Sequence, residues 1–72
     1  MKVILFCQNT YSFGILDPIK EALIAKKYSF IWYVAGKILT DFPFKKDNYT
    51  TKISDLLEFQ SDVIFVPGNA VP

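Results

Sequence analysis

The chain has no histidine and, by inspection, no arginine. The first absence removes the usual general base near neutral pH, and the second removes the usual two-pronged clamp for phosphate. A single cysteine, Cys7, excludes an internal disulfide and any cysteine-based metal cluster. It fits a reducing compartment, so we expect a cytoplasmic protein. The glycines are only Gly14, Gly36 and Gly68. Three so far apart cannot form the G-x-G-x-x-G turn of a dinucleotide site, nor a P-loop. The apolar run Val3-Ile4-Leu5-Phe6-Cys7 is too short for a signal sequence, and no run approaches the ~18 apolar residues of a membrane span. Neither sign of charge dominates: the formal net charge is +1, and the only lysine doublets are Lys26-Lys27 and Lys45-Lys46. That predicts no nucleic-acid stripe. No cofactor and no metal site is expected.

What the chain does have is apolar content. Hydrophobic residues make up 51% of it and aromatics 17%. A body this small has little interior, so much of that surface needs a cover. We therefore expect residues 1–72 to be the N-terminal part of a larger domain.

The run at residues 3–7 does not alternate, which predicts a strand buried on both faces, as in a parallel sheet. A polar loop follows at residues 8–14. Asp17-Pro18 suits the start of a helix, and the first turn could begin as early as Gly14. Ile15, Ile19, Ala22 and Leu23 form its apolar stripe, with Lys20 and Glu21 off it. Residues 30–34 predict the second strand. Pro43 breaks any long helix between residues 37 and 49, and residues 45–48 read as a turn. A third strand is expected at residues 49–53. A short helix should follow, with Ser54 or Asp55 as its cap and Asp55 and Glu58 spaced for a capping box. Residues 63–66 predict the fourth strand.

Strands alternating with helices imply parallel β-α-β units with right-handed crossovers. The expectation is an α/β three-layer fold, a partial Rossmann-like domain with a four-stranded parallel sheet in the order 3-2-1-4. Ligands of such sheets bind beyond the strand C-termini, where the order reverses. Here that is between strands 1 and 4. The candidate substrate-binding residues are therefore Asn9, Thr10, Tyr11, Ser12 and Gly14 after strand 1, and Gly68 and Asn69 after strand 4. The same loops also read as hydrogen-bonded connectors and plain turns. No catalytic residue is assigned. Cys7 and Trp32 are expected in the core.

Three stretches carry a family resemblance. Residues 2–6 lead into a polar loop, and Leu16-Asp17-Pro18-Ile19 opens a helix. More specific is the run Ser61-Asp62-Val63-Ile64-Phe65-Val66-Pro67-Gly68-Asn69-Ala70-Val71-Pro72. In these the chain resembles the N-terminal end of CDP-glycerol glycerophosphotransferase-like proteins, which are GT-B transferases of teichoic-acid and surface-polymer synthesis. The first stretch also suits other GT-B members, such as UDP-N-acetylglucosamine 2-epimerases or sugar transferases. The resemblance implies a CDP-activated polyol donor, bound mainly by a C-terminal nucleotide-binding domain of the same chain. It implies a lipid-linked or saccharide acceptor on the N-terminal side, at the inner face of the cell membrane. The family's catalytic histidines would lie beyond these residues. A stand-alone binding module of flavodoxin-like topology is the alternative from another class.

Overall fold

The structure, a computed structural model, describes residues 1–67. Its elements in order are β1 (Lys2–Cys7), α1 (Tyr11–Ala25), β2 (Ser29–Val34), a 3-10 helix (Gly36–Asp41), β3 (Tyr49–Thr50), α2 (Ile53–Phe59) and β4 (Val63–Phe65). The four strands form one sheet in the order β3-β2-β1-β4, and every pairing is parallel. The chain is thus an α/β fold of the partial Rossmann-like type.

The registers explain why β1 is apolar throughout. Val3, Leu5 and Cys7 lie beside Phe30, Trp32 and Val34 on one side, and Val3 and Leu5 lie beside Val63 and Phe65 on the other. With neighbours on both edges and helices on both faces, β1 has no wet side. Val3, Leu5, Cys7, Trp32 and Val34 point to one face, where they pack with Phe13, Leu16 and Leu23 of α1, with Ile38 and with Phe42. Ile4 and Ile31 point to the other face, against Leu56 of α2. Phe6 and Tyr33 stack there with ring centroids 4.5 Å apart. Cys7 and Trp32 are fully buried, as expected.

Asp62 fastens the start of β1 to the start of β4. The Lys2 N–H donates to its carboxylate at 2.8 Å, and the Asp62 N–H donates to the Lys2 carbonyl at 2.7 Å.

Helix α1 begins at Tyr11, well before Asp17, and Pro18 lies in its interior. Tyr11, Ser12 and Gly14 are therefore helical residues, not loop residues. A proline inside a helix costs about 3 kcal/mol. Starting early brings Phe13 and Leu16 into the larger core cluster, where they are 6% and 1% exposed. At ~1.5–3 kcal/mol for each buried side chain, that gain matches or exceeds the proline cost. The earlier start also moves the buried stripe to Ser12, Phe13, Leu16, Lys20 and Leu23, so Ile15 is left exposed.

The helix closes with Lys27 in the left-handed region at φ 61°. The Lys27 N–H donates to Ile24 O and the Tyr28 N–H to Leu23 O, both at 3.0 Å. This is a Schellman closure made without glycine.

The segment between β2 and β3 holds an aromatic cluster in place of a full crossover helix. Trp32 stacks on Phe44 at 5.1 Å, and Phe42 packs edgewise on Trp32 at 5.5 Å. The indole N–H of Trp32 donates to Asp47 at 3.0 Å. Lys20, expected on the solvent side, is buried here. Its ammonium lies 3.9 Å from the Phe44 ring centre and 3.5–3.7 Å from Asp17, Glu21 and Asp47. Its long stem serves as core while the charge reaches carboxylates.

Two smaller expectations are also corrected. β3 spans only Tyr49–Thr50, and Ile53 already belongs to α2. The residue flanking α2 is Lys52, with no side-chain cap. Asp55 sits in the first turn and accepts a hydrogen bond from the Thr50 hydroxyl, which links β3 to α2 in place of the expected capping box.

Candidate functional site

β1 and β4 are parallel neighbours with C-terminal ends at the same edge of the sheet. The turn leaving β1 and the residues just past β4 border a crevice there, at the reversal of strand order. A cavity of about 150 Å³ occupies it. Phe6, Val66 and Pro67 come from the strand ends, and Gln8, Asn9, Tyr11 and Ser12 come from the turn into α1 and its first residues.

Asn9, Tyr11 and Ser12 are thus brought together as the sequence predicted. The Asn9 amide donates to the Tyr11 phenol oxygen at 3.2 Å. Ser12 is 2% exposed yet lines the cavity. Its hydroxyl makes no side-chain hydrogen bond among the described residues. Thr10 precedes the first helical residue, makes no side-chain cap bond and does not line the cavity. Gly14 does not line it either, and a Cβ built there meets nothing within 4 Å. Gly68 and Asn69 lie outside the described residues. Gln8 and Pro67 begin the two loops that the strand order brings to the reversal, whereas Phe6 and Val66 were not expected there; their signal is positional, each standing next to the last residue of a flanking strand.

The chemistry of the lining is neutral. Among the described residues no lysine and no carboxylate lines the cavity. The first turn of α1 carries no acidic residue. The Ser12 and Phe13 N–H groups already donate to the carbonyls of Asn9 and Thr10 at 3.0 and 3.2 Å. The arrangement can bind and orient a group, but it holds nothing to take or give a proton at neutral pH.

Cys7 at the end of β1 offers no nucleophile. Burial pushes its thiol pKa up to about 12, so the reactive thiolate is scarce. Among the described residues no cluster of three metal-ligating side chains occurs, and no helix is long and apolar enough to cross a membrane. A second cavity, about 420 Å³, runs along the α1 face beside β4. Val3, Ile19, Leu23, Lys26, Val63 and Phe65 are among the residues lining it.

The fold is α/β of the partial Rossmann-like type, with a four-stranded parallel sheet, and the crevice lies where its strand order reverses. Comparison with known proteins finds no match, whether to a family model, to a curated protein or to a solved structure. The likeness to glycerophosphotransferases rests on the residues that carry it.

Proposed function

We propose that this chain forms the N-terminal, acceptor-side half of an interdomain cleft in a CDP-glycerol glycerophosphotransferase-like enzyme of the cytoplasm. The observation that carries the reading is the crevice between β1 and β4. Its polar lining is amides and hydroxyls, and among the described residues it holds no acid, base or phosphate clamp. Such a half-site can position an acceptor while a second domain brings the activated donor and the reactive groups. Holding two reactants in register is itself a large part of a transfer reaction's barrier lowering, ~7–11 kcal/mol in favourable cases. Another GT-B activity on the same scaffold would use the same crevice. The strand order argues against the flavodoxin-like module, because that topology places β3 beside β1, whereas here β2 and β4 flank it.

The test is a titration of the ¹⁵N-labelled chain, followed by amide chemical shifts, with a glycerol-phosphate oligomer as acceptor and CDP-glycerol as donor. The acceptor is expected to shift the amides of Gln8, Asn9, Tyr11 and Ser12, and CDP-glycerol to leave them in place. Shifts of those amides by the nucleotide alone would reverse the assignment of the half-site.

A further inference from the structure

Resting on that reading, we infer that the crevice between β1 and β4 takes an uncharged, hydroxyl-rich group, such as a polyol or one edge of a sugar, and does not take phosphate. Four observations converge. Every polar side chain in the lining is neutral: the amides of Gln8 and Asn9, the phenol of Tyr11 and the hydroxyl of Ser12. Each amide both donates and accepts, as does each hydroxyl, and that is the pattern a vicinal diol presents in return. Second, two of the first-turn amides that would cradle an anion at a helix start are already engaged: those of Ser12 and Phe13 donate to the carbonyls of Asn9 and Thr10. An anion would be desolvated there without a counter-charge.

Third, the Ser12 hydroxyl is held on a 2% exposed residue that lines the cavity. It has no hydrogen-bond partner among the described residues. Fourth, Phe6, Val66 and Pro67 give the opposite wall an apolar surface for the C–H side of a polyol. The cavity of about 150 Å³ equals the liquid volume of about five waters, the size of a three- to five-carbon unit.

The test uses amide chemical shifts of the ¹⁵N-labelled chain titrated separately with glycerol, ribose and inorganic phosphate. Glycerol and ribose are expected to move the amides at residues 8–12 saturably, and phosphate to leave them unmoved. Ser12→Ala should weaken the polyol response by roughly 2- to 10-fold, the value of one hydrogen bond. Asn9→Leu, at an exposed position, should do the same without touching the core and covers the case in which Ser12→Ala disturbs the fold. Phosphate moving these amides more strongly than glycerol would overturn the ligand class and leave the crevice as the site. No saturable shift at residues 8–12 with any probe, or polyol shifts that neither variant weakens, would overturn the inference. A glycerol-phosphate oligomer that still moves these amides would then leave the acceptor-side reading standing.

Discussion

Asp47 joins two structures that otherwise have little reason to stay together, and its replacement gives the sharpest test of the packing. Its carboxylate accepts the Trp32 indole N–H at 3.0 Å and lies 3.7 Å from the Lys20 ammonium. In Asp47→Ala the indole N–H inside the aromatic cluster loses its acceptor, at ~1–3 kcal/mol. Lys20, with a side chain only 10% exposed, then keeps two partners that are 45% and 66% exposed. Exposed pairs of that kind contribute ~0–1 kcal/mol each, so they compensate little. The expected loss is about 2–3 kcal/mol, or roughly 10–20 °C in Tm for a domain of this size.

Asp47→Asn keeps an oxygen for the indole and removes only the charge, so about 1 kcal/mol should be lost. Adding Lys20→Met to Asp47→Asn should restore most of that, because it removes the charge left without its partner. Trp32 is the sole tryptophan, so its fluorescence during urea unfolding reads the site directly, with circular dichroism as the second probe. An Asp47→Ala protein within about 0.5 kcal/mol of the parent would refute this account, since it would leave the two contacts without measurable weight.

Three further outcomes follow from particular residues. Lys27→Gly should raise stability by about 0.5–1 kcal/mol in urea unfolding, because glycine adopts the left-handed turn at φ 61° without the Cβ penalty. Gly14→Ala should raise it by a similar ~0.5–1 kcal/mol and leave polyol binding unchanged, since a Cβ at this helical position meets open space. Cys7, pushed up to about 12, makes stability fall as pH rises from its ordinary value near 9. The unfolded chain loses the thiol proton first, so the stability advantage present below pH 9 is lost as pH climbs toward 12. The stability difference between the parent and Cys7→Ala should therefore shift against the parent between pH 9 and 12, and a constant difference would refute it.

The sheet was legible because β1, β2 and β4 are short apolar runs separated by polar connections. Once they alternate with helical segments, right-handed crossovers leave few orders, and the order 3-2-1-4 among them places β1 beside β4. The crevice followed from that order, so Asn9, Tyr11 and Ser12 were found without any motif. Tyr11, Ser12 and Gly14 were read as loop residues because Asp17-Pro18 was read by a local rule as a helix start. Burial of Phe13 and Leu16, visible only in three dimensions, outweighs that rule. Lys20 was misread for a related reason: a lysine off a supposed stripe looks solvated until Phe44 and Asp47 arrive from a segment with no periodicity. The aromatic cluster of Trp32, Phe42 and Phe44 has no repeat that a helix or strand template could detect.

The strand at the heart of the sheet is made before either of its neighbours, and β4 is the later of the two. The Lys2 amide waits for the carboxylate of Asp62, 60 positions on. A nascent chain emerging from the ribosome therefore carries an open apolar ribbon at Val3, Ile4 and Leu5 until Val63–Phe65 have been made. Long-range closure of this sort is slow. Over that interval, chaperone binding competes with the arrival of β4 for the same residues.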